Sequence, residues 1–293
     1  MTWEAYPNEW LTTLTQLKNH MVGSGNVTTW NDTTLTWCIE QASAGIIRNL
    51  QRLPLPYTAT LKIDYSKRYI DRNSMVINLF KDTELLAVTS ITNGDNSSVA
   101  ASKYYLEPAN SYPKHRIAMK ESSGLRWREN TSNNEWRQAI TIVGIFGYVP
   151  HYSNAWPDSG ADINEGGQLS ASDTTLTVTD GTVFSVGDYI KIDNEILFIS
   201  AISTNDLTVK RGKLGTSAAT HEDSTDIYIF EQKHDLELSA TEWAAYLYKT
   251  KDKIGDEIIT FANGVQAPRG LSPMVVSAVG KNRKVTFGGF SEY

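Results

Sequence analysis

The 293-residue chain holds a single cysteine, no apolar run approaching a membrane span, and no basic segment followed by an apolar stretch at its start. A spanning helix needs roughly 18 or more consecutive apolar residues, so none is expected. Cys38 has no partner for an internal disulfide, and at a helical apolar position it reads as a small buried core residue. A secretory signal is not expected, and the sequons at Asn26, Asn31, Asn96 and Asn130 then carry no consequence. The five histidines, His20, His115, His151, His221 and His234, lack metal-ligand spacing. No Gly-x-Ser-x-Gly elbow, phosphate loop or dinucleotide fingerprint is present, and Gly212 to Thr216 follows a hairpin pattern rather than opening a helix. Asp193 and Glu195 bracket a tight turn and are expected to be solvated. No catalytic residue, metal site or cofactor is expected, and the chain does not read as an enzyme.

What is present is ordinary for a folded protein, with 40% apolar and 20% charged residues. The length allows two domains. The most visible unit is residues 168–231, a succession of short apolar runs (Thr175 to Val178, Tyr189 to Ile192, Ile196 to Ile199, Leu207 to Val209, Ile227 to Phe230) separated by Gly, Asp and Asn. That pattern predicts an all-β, barrel-like module. It holds ten acidic against four basic side chains, a net charge of −6 that equals the net charge of the whole chain. The last thirty residues are basic instead, with Arg269, Lys281, Arg283 and Lys284 against Glu292.

Around the module the fold class reads as α+β, a small helical bundle with a β-sheet subdomain. Leu14, Leu17 and Met21 predict a helix over 13–22, with Thr13 to Gln16 as a capping box and Gly23 as its stop. Asn31 or Asp32 caps a longer helix over 32–53, whose apolar stripe runs through Leu35, Cys38, Ile39, Ala42, Ile46, Leu50 and Leu53 to the stop at Pro54 and Pro56. Between 57 and 149 apolar residues alternate, which predicts a sheet of about six strands. Arg126, Trp127, Arg128, Trp136 and Arg137 flank its last strand and suit cation-π stacking on the sheet surface and a binding role equally. Residues 150–167 read as linker. Ser239 to Glu242 reads as a capping box opening a helix over 240–251, with Ala240, Trp243, Ala244, Leu247 and Tyr248 facing the 32–53 helix. The domain division is thus 1–167 with 232–263 as core, 168–231 as insertion and 264–293 as an extended tail.

Several local phrases resemble the head-tail connector, or adaptor, proteins of tailed bacteriophages. They are Arg48-Asn49-Leu50-Gln51-Arg52, Ile63-Asp64-Tyr65, Leu85 through Gly94, Tyr105-Leu106-Glu107-Pro108 and Ile142 through Tyr148. The module is similar to small β-modules of phage structural proteins, through Phe184 to Ile190, Asn194-Glu195-Ile196-Leu197, and Val209-Lys210-Arg211-Gly212 followed by Gly215-Thr216 and His221. Such an insertion departs from the plain adaptor pattern.

The resemblance implies a structural virion protein at the neck between capsid and tail, reached from the host cytoplasm during assembly. It implies a homo-oligomeric ring, usually of twelve copies, under the portal protein and above a downstream neck or tail-completion protein. DNA would transit without sequence-specific binding, and no membrane is involved. The tail, with Arg269, Lys281, Arg283, Lys284, Phe287, Phe290 and Tyr293, is the expected portal-binding segment. Trp37, Ile47, Trp243 and Tyr248 are the expected subunit contacts. The alternative is a neck- or tail-associated binding protein whose module recognises a carbohydrate or a fibre protein.

Overall fold

Two capped helices open the chain in the computed structural model, which describes residues 6, 8–22, 30–71, 73–79, 83–251, 258–260, 266–268 and 272–284. Helix α1, Leu14–Val22, buries Leu14, Leu17 and Met21, and the Thr13 hydroxyl accepts the Gln16 N–H at 3.2 Å. Helix α2, Asp32–Leu50, starts where the Asn31 side chain accepts the Thr34 N–H at 3.1 Å. It stops three residues short of the expected end, because Gln51 turns left-handed (φ 56°) and donates to the Ile47 carbonyl. All seven residues of the expected stripe are buried. Gly23, the expected stop of α1, lies outside the described residues.

Six strands follow: β1 Tyr57–Ile63, β2 Val76–Asn78, β3 Leu85–Thr92, β4 Tyr104–Glu107, β5 Arg116–Met119 and β6 Ile140–Phe146. They form two three-stranded antiparallel sheets, ordered β1-β6-β3 and β2-β5-β4, rather than the single sheet expected. Alternation fixes which side chains face the core but not which strands pair. Here β1 and β3 occupy both edges of β6, and β2 and β4 occupy both edges of β5. An isolated bridge between Leu85 and Lys114 joins the two sheets. Trp127 is buried beneath the second sheet and donates its indole N–H to the Met75 carbonyl, while Arg137 stacks over the exposed Trp136 ring.

The module is a six-stranded antiparallel sheet of β7 Asp158–Asp162, β8 Thr175–Thr177, β9 Tyr189–Ile192, β10 Glu195–Ser203, β11 Asp206–Lys210 and β12 Asp226–Ile229, in the order β7-β12-β9-β10-β11-β8. It is not closed into a barrel; its edge strands β7 and β8 approach at the single bridge Ile163–Val178. Strand β7 lies inside the stretch expected as linker. Its sequence, Asp-Ser-Gly-Ala-Asp, offers only Ala161 to the core and so gives no apolar run to read.

Strands β9 and β10 are walls shared by two cores. Ile190, Ile192, Leu197 and Ile199 pack inside the module, whereas Tyr189, Ile196 and Phe198 face the main core. A strand buried on both faces reads as an unbroken apolar run, which is how Ile196 to Ile199 appears.

Helix α3, His234–Thr250, begins six residues before the expected start. Ser239 is no cap: it lies one turn inside, and its hydroxyl donates to the Asp235 carbonyl at 2.6 Å. Asp235 and Glu237 occupy the first turn, where negative charge complements the helix dipole. As expected, α3 lies against α2, and Gly45 makes room for the Trp243 indole there. A two-stranded hairpin follows, β13 Ile258–Thr260 with β14 Gln266–Pro268.

The tail is not extended throughout, because helix α4, Pro273–Asn282, packs on α3 and α2. Ser272 accepts the Val275 N–H, and Pro273 occupies the first turn with its φ already suited to a helix.

Candidate functional site

The module is bound to the helical layer by a polar and aromatic seam. Tyr189 on β9 donates its hydroxyl to Glu9 Oε2 at 2.5 Å and accepts the Trp10 N–H at 3.0 Å. Lys213 Nζ reaches Glu9 Oε1 at 2.7 Å. Trp10 meets Phe198 edge-on, with ring centroids 5.3 Å apart. Gly187 (φ 105°) lets the backbone pass close under the Trp10 ring. Burial, then the Glu9 charge and hydrogen bond, push the Tyr189 hydroxyl well above its ordinary pKa.

Beside the seam lies a cleft of about 330 Å³, with walls from Trp10, Gln16, Asp188, Phe230, His234 and Glu237 among others. Burial pushes the Asp188 carboxyl up to about 7, against its hydrogen bond from the Ser185 N–H and with a further contribution from Glu237. Burial also raises Glu237. The cleft therefore holds two carboxyls that retain protons more readily than usual.

A second cluster lies in the module. Glu195, 1% exposed, takes two parallel bonds from Arg211, Nε to Oε1 and Nη2 to Oε2, both 2.8 Å. The Gly212 and Ala219 N–H groups donate to the same carboxylate at 2.9 and 3.0 Å. His221, also buried, places Nε2 2.9 Å from Glu195 and Nδ1 2.8 Å from Asp193. Burial alone would raise the Glu195 carboxyl, but these donors outweigh it and hold the pKa at about 2. Only Asp193 of the turn pair is exposed as expected; Glu195 is not, because Arg211, sixteen residues on, supplies its charge partner. The Arg211 fork also binds the Ser170, Asp173 and Ala219 carbonyls, so the cluster ties together the loops at one end of the sheet.

The expected subunit contacts separate into two kinds. Trp37 on α2 is 53% exposed, but Ile47 is buried within the chain and is no surface residue. A continuous stripe widened by Ile47 is explained instead by α2 meeting several elements of its own chain. Trp243 is half-buried over Gly45, and Tyr248 is half-buried against Trp30.

Of the expected portal-binding residues, Arg269, Phe287, Phe290 and Tyr293 lie outside the described residues. Lys281 and Arg283 are exposed at the end of α4, and the half-buried Lys284 donates its N–H to the Leu50 carbonyl at 2.9 Å. Asn282 fastens this end: it accepts from Lys233 Nζ (2.6 Å) and the Tyr148 hydroxyl (3.2 Å) and donates to Asp235 Oδ2 (2.9 Å). The opposite side of α4 exposes Met274 (47%) and Val276 (58%). Ser272-Pro273 with Val275 and Val279 was the readable signal for this helix.

Module aromatics offer no open stacking platform, since Phe184, Tyr189, Phe198 and Phe230 are buried. Tyr228 is half-buried with Lys191 Nζ over its ring. Among the described residues no group of three or more His, Cys, Asp or Glu is placed to hold a metal ion, and no helix is long and apolar enough to cross a membrane. Neither a scan of protein-family models nor a search of curated proteins gives a match.

Proposed function

We propose that this chain is a structural subunit of a head-tail connector, assembling into a ring below a portal and above a downstream neck or tail-completion protein. The observation that carries the reading is the two-sidedness of α2 and α4. Each buries one face in its own chain, yet α2 presents Trp37 and α4 presents Met274 and Val276 to solvent. Large apolar side chains on a rigid helix are suited to protein contacts. The phrases resembling phage adaptors direct the reading to the neck. In this reading α1 to α4 act as one helical bundle, the chain beyond Lys284 meets the portal, and DNA passes without being read. The protein works by assembly, not catalysis.

The test pairs the chain with a portal ring. Wild type should co-sediment with it, and truncation after Lys284, which leaves α4 in place, should abolish binding. Intact binding by the truncated chain would remove the portal assignment of the tail. A Trp37→Lys chain that assembles like wild type would remove α2 from the contact.

A further inference from the structure

We infer that neighbouring copies join head to tail, with the outer face of α4 seated on the acidic β7–β12 edge of the next copy's module. The inference rests on the connector reading and names its subunit contact.

One partner is the face of α4 turned from the core. It carries Met274, Val276, Ser277, Gly280 and Lys281, with Arg283 just beyond, all exposed. From Pro273 to Lys284 there is no acidic side chain. Among the described residues neither Lys281 nor Arg283 has an ion-pair partner.

The other partner is the outer pair of module strands. Asp226 on β12 stands directly opposite Asp162 on β7, and Tyr228 stands opposite Asp158. The pairing is irregular between these two positions, with Gly160 (φ 74°) in the β7 strand, and Asp226 and Asp158 are the two carboxylates that act on the Tyr228 hydroxyl while Asp162 lies across from Asp226. The charge of Asp226, followed by burial and Asp158, raises the Tyr228 hydroxyl. Like charges directly opposite destabilise a strand pair. The nearby cation, Lys191, stacks between the Trp156 and Tyr228 rings at 5.3 and 5.2 Å instead of pairing with a carboxylate.

The two surfaces complement each other in kind. One offers a lysine and an arginine beside two aliphatic side chains; the other offers Asp226 and Asp158 by a half-buried aromatic ring, with Asp162 across from Asp226. Charge complementarity of this sort fixes register and speeds encounter. Because the surfaces differ, the contact is heterologous, repeats from copy to copy, and closes into a ring when the rotation allows.

Sedimentation of full-length chains tests this. Lys281→Glu with Arg283→Glu should weaken self-association about tenfold or more, and so should Asp162→Lys with Asp226→Lys. A mixture of the two variants should restore association between unlike chains. Wild-type assembly unchanged in both variants would overturn this contact while leaving the connector reading in place. A wild-type chain that never self-associates would overturn both. Circular dichroism melts of the variants confirm that each is folded.

Discussion

Replacing Arg211 by alanine removes the guanidinium that holds five acceptor contacts: both oxygens of Glu195 and the carbonyls of Ser170, Asp173 and Ala219. Glu195 stays in place, 1% exposed, with only two backbone N–H groups and His221 to face it. Breaking a buried pair by deleting one partner costs about 3–5 kcal/mol, because the remaining charge is uncompensated. That is a large fraction of the roughly 5–15 kcal/mol that stabilises a typical domain. Arg211→Lys keeps the charge but loses the fork and should fall between wild type and alanine.

The stability contributed by this cluster also depends on pH. Glu195 titrates at about 2 in the folded chain against an ordinary value of 4.5. Its contribution is therefore complete above pH 4.5 and is lost as the pH falls through about 2. The shift corresponds to about 3 kcal/mol. Urea unfolding followed by circular dichroism at pH 7 and pH 3 reads both effects. An Arg211→Ala chain within about 0.5 kcal/mol of wild type at pH 7 would show that the pair is not a buried, interdependent one, since such a value belongs to an exposed pair.

Three further outcomes follow from the packing and the titrations. Gly45→Ala drives a methyl group into the Trp243 indole and should lower the melting temperature, with overpacking costing about 1–3 kcal/mol against about 1 kcal/mol of gained helix propensity; a higher melting temperature would contradict the close approach of α2 and α3. Asp188, raised to about 7 from 3.8, opposes folding increasingly as the pH climbs through that interval, so Asp188→Asn should stabilise the chain at pH 8 and have little effect at pH 3, as read by paired melts. Asn282→Ala frees the end of α4 from Lys233, Tyr148 and Asp235 at a cost of about 1–3 kcal/mol, and limited proteolysis should then cut near Arg283 faster than in wild type.

Local signals carried much of the fold. Helices α1 and α2 were legible because a capping side chain and a clean apolar period coincide at Thr13 and at Asn31. Strand positions in the first half were legible from alternation, but pairing was not, since nothing in Met75 to Leu79 says that β2 joins β5 rather than β1. The start of α3 was misplaced because Ser239 and Glu242 imitate a capping box one turn inside the helix. Helix α4 was hidden in a Gly- and Pro-punctuated tail, although Ser272-Pro273 marks its start. Burial of Glu195 depends on Arg211 and His221 across the module, and spacing along the chain does not report such contacts. The phrase Arg211-Gly212, Gly215-Thr216 and His221 has a physical reading. Arg211 and His221 hold Glu195, Thr216 accepts the Ile196 N–H, and Gly215 (φ 80°) passes close to the Thr58 carbonyl.

Ring assembly is the proposed role of this chain. Electron microscopy of the purified full-length protein over a concentration series, with mass measured on the same samples by light scattering, tests it most directly. Closed rings of a fixed, whole number of chains around an open channel are the expected result. Single chains at every concentration would contradict it, as would open filaments of unlimited length.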